Sequence, residues 1–307
     1  MNQQLHNHPT ITMQHPCTVA DALAAAKLLS ASDTGQLDGE LLLSTVLGLD
    51  RVALRARPER SLSAEQTNKY ETLLHRRATG EPVAYLTGRK AFWNFELEVT
   101  PAVLIPRPET ELLVEQALAY LQGREEEPLL IADLGTGSGA IALALAAHSP
   151  HWQIIALDIS TASLEITQRN AQHLNLNNVK FMQATWCDSL PAAGLDLIVS
   201  NPPYVAANDP HLQANGLMFE PQQALVAADE GLADLQTIIT QAGRCLKSNA
   251  DNAHNTRNTR NPRLILEHGM SQAAAVTNLL EQHGYHNITT HTDLAGHERV
   301  TSGCWQS

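Results

Sequence analysis

One stretch constrains the fold more than any other. Leu129-Leu130-Ile131-Ala132-Asp133 leads into Leu134-Gly135-Thr136-Gly137-Ser138-Gly139-Ala140-Ile141. The apolar run reads as a short buried strand, and the residues after the glycines, to about Ala147, read as a helix. Strand, glycine turn, helix is the opening of a nucleotide-binding βαβ unit. The glycines let backbone approach a ligand closely, and the helix start offers unpaired N–H groups. The alternation continues with strand Gln153–Asp158, helix 161–173, strand Val179–Gln183, strand 195–200, a helix from about Leu232 to Leu246, strand Arg263–Glu267 and helix 271–283. Residues 286–293 and 298–304 form two closing strands. This pattern predicts an α/β fold, a parallel sheet with helices on both faces, whose ligands bind beyond the carboxyl ends of the strands.

Four candidate elements fall at that edge: the glycine turn, Asp158, Trp186 and Asn201. Asp158 ends its strand at the spacing from the glycines at which a carboxylate takes both ribose hydroxyls of an adenosine; an aspartate there also caps a following helix, a task open to Ser160 or Thr161. Trp186, in Ala184-Thr185-Trp186-Cys187-Asp188, reads equally as a platform for a purine and as a core or lid tryptophan. Asn201-Pro202-Pro203-Tyr204 follows the apolar run Leu195–Ser200. Each proline fixes its own φ, donates no hydrogen bond and pushes the residue before it out of the helical region. The Asn201 side chain and the Pro202 carbonyl are thereby held as acceptors, with the Tyr204 ring beside them. Such a pocket suits a planar NH2 group lying on an aromatic face, both hydrogens held by oxygens. The plainer alternative is a proline-rich loop that ends a strand.

The rest of the chain is organised around this region. Residues 1–17, polar and carrying His6, His8 and His15, read as a disordered tail. Residues 18–88 read as a small helical domain of three helices, the first opened by a Thr18/Asp21 capping box, the second spanning about Asp38–Leu49 and the third about Ser63–Thr79. Residues 89–108 read as a hairpin linker, with Phe92–Val99 as an alternating strand. A helix then runs from about Thr110 to Leu121. Glu109 and Glu111 suit its dipole; the same residues, with Arg107 between two prolines, also suit the mouth of a site. Residues 109–307 form the larger domain. Residues 206–216 make a polar loop long enough to cover a substrate. Residues 248–262, with Asn252, Asn255, Asn258 and Asn261 at every third position, cannot bury a core and read as a surface insertion.

Composition excludes several classes. The 307 residues carry a net charge of −12, which argues against affinity built on neutralising phosphates. Cys17, Cys187, Cys245 and Cys304 form no C-x-x-C pair and read as free thiols in a reducing compartment. No membrane span and no secretory signal are evident, so a cytoplasmic chain is expected. The histidines have no spacing that makes a metal site.

Gly80–Gly88, Phe92, Leu104–Glu111, Asp133–Ile141, Asp158, Ser200–Tyr204, Phe219-Glu220-Pro221 and Gly296–Val300 together resemble the N5-glutamine methyltransferases that modify peptide chain release factors, the PrmC/HemK family. The resemblance runs from Val19 onward. It implies a seven-stranded, Rossmann-like, S-adenosylmethionine-dependent methyltransferase domain behind an all-helical N-terminal substrate-recognition domain. It implies a class I release factor as partner, methylated on the glutamine amide of its Gly-Gly-Gln loop, with no metal, no direct nucleic-acid or membrane binding, and a monomer. Carried over by position, Gly135, Thr136, Gly137, Ser138, Gly139, Asp158, Trp186 and Asn201 hold the cofactor. Asn201, Pro202, Pro203 and Tyr204 hold the glutamine side chain, and of these Asn201, Pro202 and Tyr204 are catalytic. The chain departs from the family at Thr185 and Cys187, where aspartate and phenylalanine are common, and in the Asn-rich insertion.

Two rivals remain on sequence alone. A nucleic-acid amino-methyltransferase would use the same four residues, against the acidic charge. An NAD-dependent dehydrogenase fits Gly135-x-Gly137-x-x-Ala140 but leaves Asn201–Tyr204 unexplained.

Overall fold

The computed structural model describes residues 13–29, 34–213, 216–248 and 261–306. The chain divides into two compact units, one taking residues up to Arg89 with Gln213–Phe219, the other Lys90–Leu212 with Glu220–Ser307.

The first unit is helical: α1 (Val19–Ala25), α2 (Gly35–Leu47), α3 (Arg51–Ala56), α4 (Ala64–Ala78) and α5 (Val83–Thr87). The expected capping box opens α1, with Asp21 N–H donating to Thr18 Oγ1 at 3.3 Å and Thr18 N–H donating back to Asp21 Oδ2 at 2.9 Å. Ser63 and Gln66 repeat the device at α4. Val19, Leu42, Leu43, Leu54, Tyr70 and Leu74 fill the core. The short helices α3 and α5 are additional to the three that apolar spacing predicts, because one or two turns carry too few residues to show a period. Of the expected tail, residues 1–12 lie outside the described residues, whereas Cys17 is fully buried and its carbonyl accepts from Leu62 N–H at 2.8 Å. A free thiol behaves as a small apolar side chain, so the core takes it up.

The second unit is built on a seven-stranded sheet. A hairpin precedes it, β1 (Arg89–Phe92) and β2 (Phe95–Glu98). The continuous strand expected over Phe92–Val99 is instead broken at Trp93-Asn94, with Trp93 in the left-handed region at φ 56°. Phe92 and Leu97 are buried in this unit's core, so the segment expected as a linker is part of the unit itself. The sheet strands are β3 (Leu130–Leu134), β4 (Gln153–Asp158), β5 (Val179–Gln183), β6 (Leu197–Ser200), β9 (Arg263–Glu267), β10 (Tyr285–Thr292) and β11 (Glu298–Trp305); β7 (Val205–Ala206) and β8 (Val226–Ala227) pair separately. Their order is β10-β11-β9-β6-β3-β4-β5. The five central strands are parallel, and β11 and β10 close the edge antiparallel.

Helices α6 (Thr110–Leu121), α7 (Ala140–His148) and α8 (Thr161–His173) pack with Ile131, Ile154, Leu197, Val199 and Ile265 on one face. Helices α9 (Ala233–Ala242) and α10 (Ala273–Gln282) pack with Ala132, Ile155, Leu157, Ile198 and Leu264 on the other. Burial on both faces explains why these strands read as unbroken apolar runs. The chain runs β3, β4, β5 in one direction and then places β6 on the opposite side of β3. That makes β3/β6 the topological switch point, where such sheets open a ligand crevice.

In the helical unit, a Cβ added at Gly39 would lie 2.2 Å from the Ala26 Cβ. Gly39→Val therefore forces α2 off its neighbour. The expected loss is about 2 kcal/mol, read as a lowered unfolding midpoint in urea.

Candidate active site

The glycine turn is fastened from three sides. Gly135 N–H and Thr136 N–H both donate to Leu157 O at 2.8 Å, holding the turn against the end of β4. Thr167 Oγ1 on α8 donates to Gly137 O at 2.8 Å, and Asn170 Nδ2 donates to Ser138 O at 2.9 Å. Asp133, at the end of β3, accepts from Thr136 Oγ1 at 2.7 Å and from Ala142 N–H at 3.1 Å, so a strand carboxylate caps α7 in place of a local side chain. Gly135, Gly137 and Gly139 have φ of 73°, 58° and 87°, which side chains rarely adopt. They serve different ends. A Cβ on Gly139 would strike Thr167 at 2.7 Å, so that glycine allows α8 to close on the turn, whereas a Cβ on Gly137 would meet nothing within 4 Å.

Gly135 and Gly137 face a cavity of about 300 Å³, within the range of small-ligand sites. Asp158, Ile159, Trp186, Asn201 and Pro203 also line it, as do Ala102–Leu104, Gln223 and Asp234. Asp158 Oδ2 accepts from Gly137 N–H and Oδ1 from Ser160 N–H, both at 2.9 Å. Desolvation by burial raises its pKa, and these backbone donors oppose the shift. Ser160 caps α8, the task the sequence left open to it. Trp186 holds φ 45°, a strained conformation for a bulky residue, with its ring 3.5 Å from the position of a Gly135 Cβ. It thus lies over the glycine turn at the cavity wall.

A smaller recess is lined by Arg107, Thr110, Thr136 and Ser138. Leu104, Gly135, Gly137 and Asn201 line both spaces, so Asn201 stands where the two meet. Pro202 is buried, and Pro202, Tyr204 and Gly139 line neither space. Tyr204 instead turns its hydroxyl to Glu267 at 3.2 Å, while its carbonyl accepts from Gln272 Nε2 at 3.0 Å. Gly231 packs on the same carbonyl so closely that a Cβ would come within 2.1 Å of it.

Residues to which the sequence assigned no role in the site also line or brace it. Glu220 is buried and accepts from Ile105 N–H at 3.0 Å while pairing with Arg107. It ties the Ile105-Pro106-Arg107 strap to the Pro221–Ala224 wall. Thr110 accepts from Asn201 Nδ2 at 3.1 Å. Glu267, at the end of β9, is fully buried, and burial pushes its pKa up to about 7, against the pull of Thr110, Tyr204 and Arg299. The signal for Glu267 is a charged residue ending an apolar strand.

Burial likewise pushes Asp133 up to about 7, from an ordinary value near 3.8. The folded chain then keeps a proton that the unfolded chain has lost, so stability falls as pH rises from about 4 to 7 and levels off above that. Glu267 adds a slope of the same sign. Asp133→Asn is expected to flatten part of this fall, seen as a smaller difference in urea midpoint between pH 5 and pH 8. In the same cleft, Gly231→Ala is expected to displace the Tyr204 carbonyl and lower turnover about a hundredfold, measured by methyl transfer, since misplacing a positioning group by about 1 Å has that scale of effect.

Comparison with known proteins gives the family. A family model described as the PrmC N-terminal domain matches residues 22–88, and one described as the methyltransferase small domain matches residues 109–233. The chain is 46% identical over 279 residues to the release factor glutamine methyltransferase of Escherichia coli (strain K12), covering 91% of this chain and 95% of that one. It is 44% identical over 274 residues to the release factor glutamine methyltransferase of Coxiella burnetii (strain RSA 493 / Nine Mile phase I), covering 89% and 93%. In fold alone it is similar to the hMettl16 catalytic domain, at TM-score 0.53 and 15% identity, covering 81% of this chain and 86% of that one. Near-complete coverage at this identity places the chain in the release factor glutamine methyltransferase family.

Proposed function

We propose that this chain transfers a methyl group from S-adenosylmethionine to the side-chain amide nitrogen of the glutamine in the Gly-Gly-Gln loop of class I release factors. The observation that carries this reading is the position of Asn201, which lines both the cavity at the glycine turn and the recess lined by Arg107 and Thr110, in a chain of this family.

The residues present fit the methyl donor. The backbone beside Gly137 is open, the Asp158 carboxylate stands at the end of β4 to take ribose hydroxyls, and Trp186 offers an apolar face. Gly135–Gly139, Asp158, Trp186 and Asn201 would hold it. When bound, it supplies a methyl group on a positively charged sulfonium, an electrophile with a neutral leaving group. The chain's task is to make an amide attack it. An amide nitrogen is a poor nucleophile because its lone pair is delocalised into the carbonyl. Two acceptors held in a proline-stiffened loop, the Asn201 side-chain oxygen and the Pro202 carbonyl, take the two N–H hydrogens and favour a nitrogen with more lone-pair character. Pro203 and Tyr204 border the same loop. Alignment supplies most of the rate, for which well-oriented reactions allow about 7–11 kcal/mol. Fixed dipoles add to it. The proton released from nitrogen passes to water.

A net charge of −12 supports a protein substrate rather than direct nucleic-acid binding. Four buried free cysteines support a reducing compartment, and we read the chain as a cytoplasmic monomer. Among the described residues no helix is long and apolar enough to cross a membrane.

The test is intact-mass analysis of a purified release factor after incubation with the protein and S-adenosylmethionine. A gain of one methyl, absent from a release factor lacking the loop glutamine, is expected; no gain with cofactor binding confirmed would move the search to other substrates. Asn201→Ala is expected to lower turnover about 10²–10³-fold, the scale of losing one preorganised polar group, with a much smaller loss of S-adenosylmethionine affinity by calorimetry.

A further inference from the structure

The loop Asn201–Tyr204 cannot hold itself in place. Pro202 and Pro203 have no N–H, so its middle offers no backbone donor. Its position is set from its two ends. At the first, Ser200 is paired in β6 and its hydroxyl donates to Leu134 O at 2.7 Å. At the other, Val205 N–H donates to Leu225 O at 2.9 Å, and the Tyr204 carbonyl accepts from Gln272 Nε2 at 3.0 Å.

Gln272 lies in the turn between β9 and α10. Its backbone N–H donates to Gly269 O at 2.9 Å, and its side-chain Oε1 accepts from Gly269 N–H at 2.9 Å. Its Nε2 donates to Glu230 O at 3.3 Å as well as to Tyr204 O. A glutamine amide has two ends of nearly equal shape, and its orientation depends on what faces each end. Here a backbone N–H, which can only donate, faces one end. Two backbone carbonyls, which can only accept, face the other. The orientation is therefore fixed, and one side chain engages the main chain of three separate segments.

The third of these segments is strained. Asp229 and Glu230 hold φ of 51° and 53°, and Gly231 follows at 87°. Side-chain-bearing residues keep such angles only where the surroundings impose them. This turn brings Gly231 against the Tyr204 peptide, and a Cβ there would also come within 2.8 Å of Gln272 Nε2. The Tyr204 carbonyl is thus gripped between the Gln272 amide and the Gly231 backbone.

We propose that Gln272 is a positioning residue for the methyl-accepting amide: by holding the Tyr204 carbonyl, it sets where the Pro202 carbonyl and the Asn201 side chain stand at the site. This rests on the reading of the reaction given above. Gln272 lines neither the cavity nor the recess, so it acts on the loop and not on donor or substrate. Two consecutive prolines have fixed φ, so a shift of the Tyr204 peptide is passed along the loop rather than absorbed within it. Glutamate at position 272 would keep the size and the accepting end but, when ionised, would set a carboxylate against two carbonyls. Methionine would keep the length and lose both polar ends.

The experiment compares wild type, Gln272→Glu, Gln272→Met, Asn201→Ala and the double variant Asn201→Ala/Gln272→Met in the full-length protein, with a purified release factor and S-adenosylmethionine. Expected is a fall in kcat of about tenfold or more in both Gln272 variants, since misplacing a positioning group has effects on that scale. The S-adenosylmethionine Kd should stay within about threefold, which also shows that each variant is folded. In the Asn201→Ala background, Gln272→Met should cost much less than it does in the wild type, because Gln272 acts through the loop that carries Asn201. Losses that multiply overturn the proposal. So does a lowered urea midpoint with kcat within about twofold of wild type, the mark of a bond that serves folding alone. Carbon-13 NMR of the labelled Tyr204 carbonyl, with S-adenosylmethionine bound, gives a second readout: its resonance should move in both Gln272 variants, and an unmoved resonance overturns the proposal. If wild-type protein methylates no release factor, the substrate reading fails instead, and the Tyr204 carbonyl comparison still decides whether Gln272 holds the loop.

Discussion

The site depends on β3 and β6 being neighbours in register. Leu134 pairs with Ser200, and the Ser200 hydroxyl donates to Leu134 O at 2.7 Å, so the two strands end together. Gly135 and Asn201 are then the first residues past adjacent strand ends, one opening the glycine turn and the other the Asn201–Tyr204 loop. No residue of either motif can move far without unpairing buried backbone, which is costly because a buried N–H or C=O rarely finds another partner. β4 adds Asp158 and β9 adds Glu267 at the same edge. A site drawn from four strand ends thus inherits its precision from sheet hydrogen bonds rather than from loop packing.

The same edge concentrates buried carboxylates. Asp133, Asp158 and Glu267 are all raised in pKa by desolvation, and Asp133 Oδ1 and Glu267 Oε2 have no hydrogen-bond partner among the described residues. Replacing such groups by amides should ease folding, since a buried carboxylate that lacks a counter-charge is destabilising near neutral pH. Asp133 repays this by joining the glycine turn to α7, and Asp158 by gripping Gly137 N–H. Stability is given up here for fixed acceptor geometry, in keeping with the tendency of perturbed acids to gather at functional sites.

What the sequence reveals is local. The βαβ alternation, the glycine turn, Asp158 and the Asn201–Tyr204 loop are legible because periodicity, glycine and proline act within a few residues. Helix Thr110–Leu121, strand Gln153–Asp158 and helix Thr161–His173 fall at their expected bounds for the same reason. The break at Trp93-Asn94 is not legible, since the aromatic alternation of Phe92–Val99 favours a strand and only the pairing of β1 with β2 reveals the turn. Nor are Thr110, Glu220, Asp234 and Glu267 as parts of the site. Glu220 is separated by 113 residues from Arg107, and Thr110 by 91 from Asn201, and no spacing rule connects them. The 248–262 insertion falls mostly outside the described residues, leaving its role a matter of composition.

The glycine pattern shows how a shared fingerprint separates into different chemistry. Gly135-x-Gly137-x-x-Ala140 fits a dinucleotide turn, in which the third small residue allows close packing of helix on strand. In this chain the close approach falls at Gly139, pressed by Thr167 and Leu143, and Ala140 is simply the first residue of α7. Trp186 lies over Gly135. Asn201 and Pro203 also line the cavity, so it borders a polar group held at the next strand end. That adjacency fits direct group transfer to an amide better than hydride exchange along an extended cofactor, and it follows from which strand lies beside β3 rather than from the glycines.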